Sequence, residues 1–133
     1  MALEVGEHTI DLVVNVTKRE TNMELRQIAE KIREAVERIE TVGAKYAAAK
    51  GISYQMQKMR EVILATEMKK VLGTNAHKEM EAKASKVYHE HLVATGIAIK
   101  EEQKWKSAFI RWQAEYESWR SFLSLEKAKM NLV

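Results

Sequence analysis

The residues of this chain that could do chemistry are few. Its four histidines are His8, His77, His89 and His91. His77 and Glu81 stand four residues apart, which on a helix puts both on one face, where they could share a metal ion. No third ligand of comparable spacing accompanies them, and His89 and His91, two apart, point to different sides of a helix. The spacing predicts surface histidines, no metal site and no cofactor. Ser53, Ser85, Ser107, Ser118, Ser121 and Ser124 have no nucleophile elbow around them, and no glycine loop of a phosphate-cradling type is present. Glutamates are plentiful, but none sits beside a glycine-rich turn or an apolar pocket signature that would perturb its pKa. The chain has no cysteine, which excludes disulfides, thiolate zinc sites and thiol catalysis. We read it as not an enzyme, with no small-molecule substrate evident.

Aromatic and basic residues offer a different chemistry. Trp105, Trp112 and Trp119 recur every seven residues, with Phe109 and Tyr116 between them and Lys100, Lys104, Lys106, Arg111 and Arg120 alongside. Such a stripe can stack on unpaired bases while its cations meet phosphates. It is also the pattern of a buried helical seam, the stronger of the two readings because an exposed row of tryptophans invites aggregation; the third alternative is a mixture, with Trp105 and Trp112 buried and Trp119 at a contact surface. A second basic patch comprises Lys58, Arg60, Lys69 and Lys70, with Gln55 and Gln57 nearby and Met56, Met59 and Met68 on the apolar side. Net charge is +3 over 133 residues, and residues 41–72 hold six Lys/Arg against two Glu. The nucleic-acid contacts expected from these patterns are Lys58, Arg60, Lys69, Lys70, Lys104, Arg111, Trp119 and Arg120.

Helices must carry these side chains. There is no proline, and helix-forming residues dominate. Thr21 and Glu24 have capping-box spacing. From there Leu25, Ile28, Ile32, Ala35, Ile39, Val42, Tyr46 and Ala49 alternate three- and four-residue steps, a coiled-coil-like seam. The apolar spacing resumes at Ile52, Met56, Met59 and Ile63 with a slip of one residue, which a stammer in one long helix over 22–72 explains, with a kink near Gly51. Gly73-Thr74-Asn75 is a stop. A short helix over 75–84 follows, then a long one capped by Ser85 and running to about Met130, with Gly96 as a candidate bend. Its apolar positions read as Tyr88, Leu92, Ile99, Trp105, Phe109, Trp112, Tyr116, Trp119 and Leu123.

Residues 1–20 differ: Ile10, Leu12, Val14 and Val16 alternate with mostly polar neighbours, a half-buried strand pattern. This strand or extended arm would pair with Leu3–Val5, with another subunit or with a partner's sheet edge, or pack on the helices. The expected architecture is thus all-α: an arm over 1–20 and, over 21–133, a long antiparallel helical hairpin or coiled-coil-like bundle. A two-helix hairpin leaves much apolar surface open, so homo-oligomers are expected. No stretch of about 18 apolar residues exists to span a membrane, and no signal-peptide pattern opens the chain, so the cytoplasm is the expected compartment.

The run Ser85-Lys86-Val87-Tyr88-His89-Glu90-His91-Leu92, then Trp105, then Ala114-Glu115-Tyr116-Glu117-Ser118-Trp119-Arg120-Ser121 resembles the C-terminal half of small helical proteins encoded by tailed bacteriophages, often near replication and recombination genes. The Trp119-Arg120-Ser121 ending is the specific part, and Thr95-Gly96-Ile97-Ala98 departs from the more acidic, Arg-rich pattern. The resemblance implies a helical shape, a genomic neighbourhood and the host cytoplasm. With the basic patches it yields the expected function: a non-enzymatic accessory protein of DNA replication or recombination that binds single-stranded DNA or a protein that binds it. The alternatives are an adaptor or inhibitor of a host defence complex, using the Ile10–Val16 strand or the helical seam, and a self-assembling structural subunit.

Overall fold

The computed structural model describes residues 24–131. The expected strand at Ile10, Leu12, Val14 and Val16 lies outside them, as do His8 and Thr21. The described residues form three helices, α1 (Leu25–Met68), α2 (Asn75–Lys83) and α3 (Lys86–Asn131), and no strand. No helix among them is long and apolar enough to cross a membrane.

The helix ends follow local chemistry. The side chain of Gln27 accepts a hydrogen bond from the backbone N–H of Glu24 at 3.0 Å, the returning arm of a capping box centred on Glu24. Helix α1 runs through Gly51 without interruption and ends at Met68, four residues short of the expected 72. There the N–H groups of Lys70 and Val71 turn to the carbonyls of Glu67 and Met68, three residues back. Gly73 then takes φ +126°, a conformation open to glycine and strained for other residues. Thr74 caps α2, its hydroxyl accepting from the N–H of His77 at 3.3 Å, and Ser85 caps α3, accepting from the N–H of Tyr88 at 3.2 Å. Helix α3 is continuous through Gly96.

The described residues divide into two compact units, the first comprising 24–44 and 107–131, the second Lys45–Lys106. In the first, α1 and α3 pack on each other in opposite directions. Ile28, Trp119 and Phe122 form the core, with Leu25, Ile32 and Leu123 against it, and the two rings meet edge-on at 6.2 Å. Each such buried side chain contributes about 2 kcal/mol of transfer free energy. Gly43 lets Phe109 approach the backbone of α1: a Cβ there would lie 3.1 Å from the ring.

The second unit has another kind of seam. The expected slip after Ala49 does not occur. The buried and half-buried positions continue as Ala49, Ser53, Met56, Ile63 and Glu67, in the register begun at Leu25, with polar residues at seam positions. Ser53 is fully buried, whereas Ile52 is 58% exposed. Helix α3 behaves likewise: Tyr88, His91, Thr95 and Ala98 are buried, whereas Leu92 and Ile99, expected in the stripe, are exposed. His91 is therefore an interior histidine and not the surface one expected. Its Nε2 lies 2.8 Å from the carbonyl oxygen of Met56 on α1, and the Thr95 hydroxyl donates to the His91 carbonyl at 2.8 Å.

Candidate nucleic-acid interface

Trp119, one of the expected contacts, lies inside the protein. Trp119 is 6% exposed, packed in the core of the first unit, with its indole N–H donating to Glu115 at 3.3 Å. It is not available as a contact residue. Trp105 and Trp112 are the half-buried ones.

Each of these two rings is met by cations from both long helices. In the second unit, Lys45 of α1 and Lys104 of α3 stand 4.8 and 4.9 Å from the centre of the Trp105 ring. In the first unit, Arg38 of α1 and Arg111 of α3 stand 5.7 and 5.8 Å from that of Trp112. A cation over an indole gains roughly 0.5–1 kcal/mol at a partly exposed site, enough to bias a long side chain toward one position. The Trp105 pair has a carboxylate in attendance: Glu101 accepts from the indole N–H at 3.0 Å and lies 3.9 Å from Lys104. The Trp112 pair has none. Among the described residues, neither Arg38 nor Arg111 has a carboxylate within 4 Å.

The other expected contacts are less concentrated. Arg120 lies over Tyr116 at 5.7 Å and 3.9 Å from Glu117. Lys58 lies over Tyr54 at 5.4 Å. Lys70 is paired with Glu67 at 3.1 Å, and Lys69 is exposed beyond the end of α1. Arg60 borders a hollow with Gln57, Glu61, Leu92 and Thr95. Glu79 and Lys83 on α2 are an ion pair at 2.9 Å; the hydrogen bond and charge of Lys83 hold the carboxyl below the usual carboxylate range, and Glu79 in turn raises Lys83.

Arg38 and Lys45 were absent from the expected contacts. A signal for them exists: each immediately precedes a seam residue (Ile39, Tyr46) and they stand seven apart, just as Lys104 and Arg111 immediately precede Trp105 and Trp112. Among the described residues no group of three or more His, Cys, Asp or Glu is placed to hold a metal ion.

The arrangement can neutralise anionic oxygens. Bases stacking on Trp105 or Trp112 would have to displace the cations already over those rings, so the cations, not the ring faces, meet an approaching polyanion. Guanidinium groups suit phosphate, which they bind through two parallel N–H donors. No protein-family model, curated protein or solved structure matches the chain.

Proposed function

We propose that this chain is a non-enzymatic accessory protein of DNA replication or recombination that binds the phosphate backbone of nucleic acid, single-stranded DNA in the first place. The reading is supported chiefly by Arg38 and Arg111, two guanidiniums from different helices beside one indole with no carboxylate within 4 Å among the described residues. Two like charges held at one ring gain most when an anion neutralises them. Lys45 and Lys104 repeat the motif at Trp105. The phage setting, and with it a host cytoplasm, is proposed on the resemblance from Ser85 onward.

The mechanism is phosphate neutralisation by cations already biased into position over an aromatic base, with little base stacking and hence little sequence preference. The test is fluorescence anisotropy with a labelled single-stranded oligonucleotide over a series of salt concentrations. The logarithm of the binding constant should fall linearly with the logarithm of salt, with a slope of about −0.7 per phosphate contacted. Absence of binding at low salt, or binding that ignores salt, would sink the reading.

A further inference from the structure

The three tryptophans of α3 stand seven residues apart, and the residue four places before each one differs: Glu101, Ala108 and Glu115. Side chains four apart on a helix are neighbours, so the chain holds three versions of one local design. Trp119 has a carboxylate and no cation. Its indole N–H donates to Glu115 at 3.3 Å, and among the described residues no Lys or Arg stands over its ring. Trp112 has cations and no carboxylate: Arg38 and Arg111 stand beside its ring, and position 108 is alanine. Trp105 has both. Lys45 and Lys104 stand over its ring, and Glu101 accepts from its N–H at 3.0 Å while lying 3.9 Å from the Lys104 ammonium.

Resting on the phosphate-binding reading, we propose that Glu101 is a built-in competitor for phosphate: its carboxylate takes the place beside Lys104 that a phosphate oxygen would take, and so lowers the affinity of the Trp105 cation pair for a nucleic-acid backbone. Three observations favour this role. First, the indole N–H is a donor with no other use, and Trp119 shows that it holds a carboxylate four residues back without a cation to help. The ring of Trp105, rather than Lys104, therefore keeps Glu101 in position. Once there, the carboxylate attracts the lysine and repels an arriving anion. Second, the Glu101 and Lys104 side chains are 53% and 64% exposed. An exposed pair of this kind adds little stability, so the carboxylate can be displaced: it competes with the backbone and does not lock the site. Third, the two cation pairs are graded by this one residue. Beside Trp112 stand two cations with no carboxylate within 4 Å among the described residues, and beside Trp105 two cations share one carboxylate. The Trp112 pair is then the stronger phosphate contact, and the Trp105 pair a weaker one that engages when Glu101 gives way.

The test is fluorescence anisotropy of the full chain with a labelled single-stranded oligonucleotide over a salt series, for the wild type and three variants whose helicity is checked by circular dichroism. Glu101→Gln removes the charge but keeps an acceptor for the indole N–H. It should raise affinity at low salt about two- to fivefold and steepen the salt slope by about 0.7, one further phosphate contact. Glu102→Gln makes the same change of charge one residue along, away from the indole, and should change affinity little and leave the slope as it is. Ala108→Glu sets a carboxylate four residues before Trp112, and should lower affinity by a similar factor and flatten the slope. If Ala108→Glu loses helicity, the two Gln variants decide alone. Wild-type binding that Glu101→Gln leaves unchanged, or that Glu102→Gln raises equally, overturns the role of Glu101 and leaves the phosphate-binding reading standing. If neither the wild type nor Glu101→Gln binds at low salt, that reading falls and the role of Glu101 with it.

Discussion

His91 Nε2 on α3 lies 2.8 Å from the backbone carbonyl oxygen of Met56 on α1. This bond joins the two helices of the second unit where their seam is polar, and it fixes their relative register, since a one-turn slide of either helix leaves a buried imidazole without that partner. His91→Ala removes the bond and opens a gap beside Thr95, and a cost of about 1–3 kcal/mol is expected. His91→Gln, which keeps a donor, should recover part of it. Urea denaturation of the three proteins measures both, and a His91→Ala variant as stable as the wild type would show that the bond does not hold the seam.

The helical glycines separate into two kinds. A Cβ at Gly51 or Gly96 would meet nothing within 4 Å, although both lie inside long helices. Gly51→Ala and Gly96→Ala should each stabilise the protein by about 0.5–1 kcal/mol, through a less flexible unfolded chain and better helix propensity. Gly43→Ala starts from the same gain but sets its Cβ 3.1 Å from the Phe109 ring, and should gain less or lose. Melting temperatures of the three variants should show this order; equal gains at all three positions would mean that Phe109 yields freely.

The same contrast shows what was legible in the sequence. The seam from Leu25 to Ala49 could be read because large apolar residues and alanines fall on every seam position, and each of those positions is buried or half-buried. Beyond Ala49 the register persists but its residues turn polar, and Ile52 stands one place ahead of the true seam residue, Ser53. Hydropathy followed the isoleucine and inferred a slip. On α3 it followed Leu92 and Ile99 past His91, Thr95 and Ala98 for the same reason. Ser53 and Thr95 are small enough to bury at little cost when hydrogen-bonded, so their burial leaves no hydrophobic trace. The Arg38–Trp112 and Lys45–Trp105 contacts were hidden differently: each joins residues far apart in the chain, and only the pairing of the two helices decides which cation faces which ring.

On α2, Lys83 holds the Glu79 carboxyl below its usual range. A depressed carboxyl contributes stability that is present above its unfolded pKa and lost as pH falls through the lower, folded value. Glu79 raises Lys83, so that half of the pair contributes below the ordinary lysine value and is lost as pH rises through the raised one. Both groups are exposed, and the effect is local to α2. NMR titration should find the Glu79 side chain titrating below the other exposed glutamates, and Lys83→Ala should return it to the common range. A Glu79 titration that ignores Lys83→Ala would mean that the pair is not formed in solution.

Arg38 and Arg111 offer the sharpest separation between charge and placement. Arg38→Gln and Arg111→Gln should each weaken oligonucleotide binding several-fold, uniformly across sequences, and reduce the salt slope by about 0.7. Arg→Lys at either position keeps the charge but loses the planar fork, so it should preserve the slope while giving up some affinity. Trp112→Leu leaves both cations in the chain but removes the ring over which they stand, and should lower affinity with little change of slope. Trp119→Leu disturbs the core of the first unit and should show as lost stability, on the order of 1–3 kcal/mol, before any change in binding. If Trp119→Leu were instead as stable as the wild type and selectively defective in DNA binding, the contact would lie at the end of α3 and not at the paired arginines.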